Sequence, residues 1–297
     1  MKNFILFGAA GFIAPRHLEA IKDTECNLLA VYDISDSVGI IDRYFPNADL
    51  FTNLEQVDSF ISKNKNIDFI SICTPNYLHF DHAKFSLERD INVICEKPLV
   101  LTSSELDALS RLENNSNANL FTILQLRLHP SVVELKESVL QSKDKSKYVI
   151  DLKYITSRGK WYLKSWKGDV HKSGGVATNI GVHFFDMLGH IFGEVTNLEI
   201  EHSDEKRVKG TLNFKNAEVS WFLSIDENDL PTSVKESGKK TFRSLRIMRD
   251  EFEFSDGFTD LHTQSYSEIL KGNGFTLEDN RASIEIVERI RAHEQKL

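Results

Sequence analysis

The stretch Asn3-Phe4-Ile5-Leu6-Phe7-Gly8-Ala9-Ala10-Gly11-Phe12-Ile13-Ala14 decides the fold. Its apolar run has the length of a buried strand and breaks at Gly8 into a glycine turn that opens a helical pattern. The turn is a variant of the dinucleotide fingerprint, spaced G-x-x-G-x-x-A, or A-x-G-x-x-A if Ala9 takes the first place. In that reading Gly11 lets the backbone approach a pyrophosphate, and Ala14 lets helix and strand pack closely. The phosphates then meet the free N–H groups of a helix N-terminus. An ordinary strand–turn–helix junction looks the same, so the next strand matters. Residues 28–32 are apolar and end at Asp33, 22 residues past Gly11. An acid there accepts from the adenosine ribose and repels a 2′-phosphate, which favours NAD over NADP. Gly8, Gly11, Phe12, Ile13 and Asp33 are the candidate cofactor residues.

Outward from this turn the rhythm continues. Apolar runs at 4–7, 28–32, 69–73, 92–95 and 120–124 read as buried strands. Helical patterns at 12–22, 54–63, 77–89 and 103–112 lie between them. That alternation predicts an α/β domain with a doubly wound parallel sheet. From about residue 148 the period changes to two. Ile150 and Leu152 alternate with Asp151 and Lys153, and Val219, Trp221 and Leu223 alternate with Ser220 and Phe222. An open-faced, largely antiparallel sheet is expected, in an α+β domain with helices near 177–192, 260–271 and 278–293. The predicted domains are 1–125, binding NAD, and 126–297, binding substrate and mediating oligomerisation. The final helices are expected to pack back on the first domain. The charged stretch 141–147 marks the change of regime.

Composition narrows the function classes. Hydrophobic residues make up 41% of the chain, enough for two cores, and the net charge of −8 argues against a nucleic-acid partner. Three cysteines, Cys26, Cys73 and Cys95, make no CxxC pair and no disulfide framework. A reducing, cytoplasmic setting fits them. The apolar N-terminus runs straight into the glycine turn, so it reads as a strand and not as a signal peptide. No apolar stretch reaches 18 residues, so no membrane partner is expected.

Two more strand ends carry polar residues, where ligands bind in open α/β sheets. Thr74-Pro75-Asn76-Tyr77-Leu78-His79 follows one strand, and Glu96-Lys97-Pro98 follows the next. Proline after lysine gives Lys97 an extended turn geometry. With the glycine turn and Gly174-Gly175-Val176-Ala177-Thr178-Asn179-Ile180-Gly181-Val182-His183-Phe184-Phe185-Asp186, these motifs run in order along nearly the whole chain. Together they resemble the Gfo/Idh/MocA oxidoreductases. Three longer blocks, 8–17, 155–169 and 257–266, resemble the branch acting on a UDP-linked amino-sugar uronic acid, UDP-N-acetyl-2-amino-2-deoxy-D-glucuronate. That branch oxidises the sugar 3-hydroxyl in lipopolysaccharide biosynthesis.

The resemblance implies a Rossmann domain, an open-faced sheet domain, NAD, and a homo-oligomer, dimer or tetramer. It assigns Thr74, Pro75, Asn76, His79, Glu96 and Lys97 to the cofactor. Lys97 and His183 are assigned to proton transfer, and which of the two takes the proton stays open. Many family members carry Asp where this chain has Asn179, which puts a full Asp–His–Lys relay in doubt and leaves Asn179 to hydrogen-bond substrate or cofactor. Substrate contacts are expected from Lys97, Arg158, Tyr162, Asn179 and His183. Arg158 suits a phosphate or carboxylate, while Trp161, Tyr162 and Trp166 suit a sugar or uracil. His262 and Tyr266 are expected as further contributors, from this or a neighbouring subunit. Asp186 and His190 are read as structural, and no metal is expected. Two alternatives stay open: a family dehydrogenase for another sugar or cyclitol, and a non-catalytic NAD-binding regulator.

Overall fold

The computed structural model describes residues 1–143, 146–248, 250–252 and 260–294. Asp144 and Lys145 of the charged stretch, and Gly257, Phe258 and Thr259 of the last block, lie outside the described residues. The chain forms two compact units. The first comprises Met1–Val100, Ser104–Gln125 and Thr259–Asn280; the second comprises Leu101–Ser103, Leu126–Phe258 and Arg281–Leu297.

The first unit is built on six strands: β1 Asn3–Phe7, β2 Asn27–Tyr32, β3 Asp49–Phe51, β4 Phe69–Ile72, β5 Asn92–Cys95 and β6 Leu120–Thr122. All pair in parallel, in the order β3-β2-β1-β4-β5-β6. Central strands covered on both faces must be apolar throughout, and Phe4, Ile5, Leu6 and Phe7 are fully buried. The edge strand β3 has no such run, because two of its three residues are exposed, so periodicity passes over it. Asn53 caps the helix Leu54–Lys63 by accepting from the Gln56 N–H at 2.9 Å. The first helix starts at Ala14, with Pro15 in its first turn, not at Phe12. Leu261–Leu270 joins this unit and buries Tyr266 and Ile269 in the same core as Leu18 and Ile21.

The second unit holds β7 Tyr148–Thr156, β8 Val195–Ser203, β9 Arg207–Phe214, β10 Ala217–Ser224, β11 Thr241–Ile247 and β12 Asp250–Glu251. Their order is β12-β11-β7-β10-β9-β8. Among the described residues, only β7 and β10 pair in parallel within this sheet. Ile150, Leu152, Val219, Trp221 and Leu223 face a core shared with the helices Val182–Phe192 and Arg281–Glu294. Val149, Glu218 and Ser220 stand exposed on the opposite face. The expected single helix over 177–192 begins instead with a π-helical turn, Ala177–Gly181. A side chain at Gly181 would place its Cβ 2.4 Å from Leu223 Cδ1. The glycine therefore lets this turn lie directly on β10. Among the described residues, no helix is long and apolar enough to cross a membrane.

Candidate active site

In the first unit the glycine turn is shaped by packing. Gly8 has φ +92°, and a Cβ there would lie 2.7 Å from the backbone of Cys73 and Thr74. Its N–H donates to Tyr32 O at 2.8 Å. Gly11 is less tight, with its Cβ position 3.0 Å from Gly8 O and 3.2 Å from Cys73 O. Phe12 projects almost wholly into solvent and Ile13 is half-buried. Asp33 accepts the Ala10 N–H on Oδ2 at 2.8 Å and the Ser35 N–H on Oδ1 at 2.9 Å. It thus holds the glycine turn itself. A carboxylate has about four acceptor positions, so capacity remains for a ribose hydroxyl. The turn and the acid fit a dinucleotide.

The two other strand ends are braced from behind. His79 is buried between them: Nδ1 lies 2.7 Å from Pro98 O and Nε2 lies 2.7 Å from Thr74 O. Carbonyls only accept, so a neutral ring donates to one of them and an imidazolium to both. Burial pushes the His79 pKa down, against the pull of both carbonyls. Thr74 Oγ1 meets His82 Nδ1 at 3.0 Å, and burial, with His79 nearby, lowers His82 to about 4. Pro75 is half-buried and Asn76 is buried.

Glu96 is buried as well. Its Oε1 accepts from His17 Nε2 at 3.1 Å and from His262 Nε2 at 2.8 Å, and its Oε2 accepts the Lys97 N–H at 3.2 Å. Burial works to raise the Glu96 pKa, but the hydrogen bonds and charge of the two histidines hold it well below the usual carboxylate range. Glu96 and His79 are therefore both buried and hydrogen-bonded to groups of the protein itself. Lys97 is half-buried, and among the described residues nothing pairs with its ammonium group.

His262 and Tyr266, expected as further contributors, both lie buried in the first unit. Tyr266 is fully buried, with its hydroxyl 2.8 Å from His17 Nδ1 and 2.7 Å from Ser71 Oγ. His262 is buried against Glu96 of its own chain. Sequence reasoning missed His17, which lies in the block 8–17 on the buried side of its helix. Its one available signal was a histidine on an apolar helix face.

In the second unit, β7 leads to Arg158, whose side chain is exposed and whose N–H donates to Ile225 O at 3.0 Å. Tyr162 is buried at the start of a short helix, and its hydroxyl accepts from Asn179 Nδ2. Burial pushes the Tyr162 pKa up, opposed by Asn179 and by the charge of Arg158. Asn179 sits in the π-helical turn, and His183 follows in the first α-helical turn. The His183 ring stands edge-on to Tyr154, with centroids 6.1 Å apart. Arg243 of β11 lies over Tyr154 at 5.5 Å and over Phe184 at 5.9 Å. Arg158, Tyr162 and Asn179 thus gather in one cluster. Tyr154 and Arg243 flank His183 and were not foreseen, because cross-strand neighbours leave no spacing to read.

Arg158 opens a basic segment with Lys160, Lys164, Lys167 and Lys172, and two of these lysines are engaged locally. Lys167 lies over the Trp166 ring at 4.3 Å, and Lys172 pairs with Asp169 at 3.7 Å. A cavity of about 330 Å³ beside Tyr162 carries Asp204 and Glu205 against Lys167, a lining that does not favour an anion. Asp186 makes a buried bidentate pair with Arg127, at 2.7 and 3.1 Å, and His190 lies 3.1 Å from Lys136 Nζ.

Comparison with known proteins agrees with the fold of both units. Residues 2–123 match the family model described as oxidoreductase family, NAD-binding Rossmann fold. Residues 146–237 match its C-terminal alpha/beta domain. A solved structure of the WlbA (WbpB) dehydrogenase from Thermus thermophilus, in complex with NAD and alpha-ketoglutarate, is 42% identical with a TM-score of 0.94. The match covers 98% of this chain and 95% of that one. The same dehydrogenase in complex with NAD and UDP-GlcNAcA is 41% identical, with a TM-score of 0.93 and the same coverage. The uncharacterized oxidoreductase YgjR of Escherichia coli is 26% identical, over 67% of this chain and only 61% of its own length. The chain belongs to the Gfo/Idh/MocA family of oxidoreductases, with NAD as its cofactor.

Proposed function

We propose that this chain oxidises the 3-hydroxyl of UDP-N-acetyl-2-amino-2-deoxy-D-glucuronate to the 3-keto sugar, for lipopolysaccharide sugar biosynthesis. The observation that carries the reading is the 41% identity, over 98% of the chain, to a dehydrogenase solved with NAD and UDP-GlcNAcA. NAD supplies the hydride acceptor. The chain supplies a base for the hydroxyl proton and a cation for the developing alkoxide. His183 is assigned the first role and Lys97 the second. Asn179, held by Tyr162, orients the sugar, and Arg158 grips a phosphate or the carboxylate. On the cofactor side, Asp33 takes the ribose and the turns at Gly8 and Thr74 hold the pyrophosphate and nicotinamide ends.

The test is direct. Purified protein is mixed with NAD and UDP-GlcNAcA, with and without 2-oxoglutarate, beside a Lys97→Ala control. NADH absorbance and product mass are followed. A product lighter by two hydrogens, absent in the control, is expected. 2-Oxoglutarate is included because the Thermus enzyme was solved with NAD and alpha-ketoglutarate; conversion that depends on it would mark it as the hydride acceptor that restores NAD. Oxidation of uncharged sugars or cyclitols with no action on the uronate would overturn the substrate assignment. The same reading carries a homo-oligomer, dimer or tetramer, formed over the open sheet face where Val149 is exposed. Light scattering showing a monomer would remove that part.

A further inference from the structure

Three side chains that the proposed reaction leaves unused meet inside the first unit. His17, His262 and Tyr266 come from the blocks 8–17 and 257–266, which separate this chain from the general family pattern. The two histidines hydrogen-bond Glu96, and Tyr266 reaches it through His17. The donor order follows by elimination. Glu96 is held as a carboxylate and only accepts, so His17 donates from Nε2. Burial lowers the His17 pKa, and on the neutral ring with its proton on Nε2, Nδ1 accepts from the Tyr266 hydroxyl at 2.8 Å. The Tyr266 oxygen then accepts from Ser71.

An ionised group this deep is costly, and an apolar trio would fill the space with less penalty. What the carboxylate adds is its second oxygen. Oε1 carries both imidazoles, and Oε2 is left for the Lys97 N–H. His79 holds the adjoining Pro98 carbonyl from the other side of the same turn. We propose that His17, His262 and Tyr266 are positioning residues: they fix the orientation of Glu96, and Glu96 fixes the turn that presents Lys97 to the substrate. This rests on the reaction proposed above for the role of Lys97. The cluster itself stands on geometry.

The experiment has two arms. In the kinetic arm, His17→Leu and Tyr266→Phe are expected to lower kcat by roughly ten- to a hundredfold, because a misplaced catalytic group loses its reach. KM for the uronate and the Kd of NAD should stay within about twofold, as for an interaction felt only in the transition state. His17→Gln is expected to recover most of kcat, since its amide can donate to Glu96 and accept from Tyr266. A purely structural role would instead lower Tm and weaken NAD binding, with kcat of the folded fraction unchanged. That pattern, or wild-type kcat in both disruptive variants, overturns the proposal.

In the second arm, nitrogen-15 NMR of the wild-type protein is expected to show His17 as the neutral Nε2–H tautomer over about pH 6–8. The Nδ1–H tautomer or an imidazolium there overturns it. The two histidines and Glu96 itself are close enough to hold a cation. One equivalent of tightly bound zinc or manganese in the purified protein would therefore also overturn it, making the cluster a metal site. Wild-type turnover is read first. Its absence on every UDP-uronate sinks the reaction, whereas the tautomer and metal readings judge the cluster regardless.

Discussion

Gly181 lets the π-helical turn bearing Asn179 lie against β10, and adding one methyl group there should be felt in both stability and turnover. In Gly181→Ala the new Cβ meets Leu223 Cδ1 at 2.4 Å and Phe185 at 3.2 Å, and both side chains are buried. Forcing a methyl into a packed core costs about 1–3 kcal/mol. The backbone at Gly181, φ −106° and ψ −26°, suits alanine, which returns up to about 1 kcal/mol of helix propensity. A net loss of about 1–2 kcal/mol is expected. Leu223→Ala alone opens a cavity and should cost about 2–5 kcal/mol. In the double variant the added methyl occupies part of that cavity. Its loss should fall short of the sum by about 1 kcal/mol or more, beyond the ~0.3–0.5 kcal/mol scatter of independent sites. Urea unfolding of the four proteins measures this cycle. Turnover of the uronate should drop in Gly181→Ala, as Asn179 and His183 shift, and partly return in the double variant. Additive losses would refute the argument that Gly181 is there to admit Leu223.

Three further outcomes are expected. Asp33→Ser should weaken NAD binding by roughly tenfold or more, through loss of charged hydrogen bonds; unchanged affinity in a fluorescence titration removes the ribose role. Arg158→Ala should raise KM for the uronate by about tenfold, with less effect on an uncharged sugar nucleotide; an unchanged KM ends the anion-grip reading. His82 is neutral in the folded protein down to about 4, whereas the unfolded chain takes the proton near 6.5. Stability should therefore fall as pH drops from about 6.5 towards 4, by up to about 3 kcal/mol from this group, and stop falling below that. Denaturant titrations across this window should show the slope reduced in His82→Leu.

Much of the first unit was legible because its signals are local. A strand covered on both faces must be apolar along its length, and a glycine must stand where the chain turns against Cys73 and Thr74. Alternation along β7 and β10 likewise marks a sheet with one buried face. The short edge strand β3 and the π-helical turn left no such mark. The first buries little, and the second is decided by how closely its backbone approaches β10.

Residue types and spacings alone thus determined the two sheet patterns, the glycine turn with its acid, and the motifs carrying Lys97 and His183. Only the tertiary structure decided which side chains meet. It brought His17 and Tyr266, 249 residues apart, to either side of one hydrogen bond, and turned Glu96 inward onto His262, 166 residues away. It also placed Arg243 over Tyr154. The physical reason is that periodicity records which face of an element is buried, whereas a hydrogen bond between distant elements depends on register and packing, which no local pattern encodes.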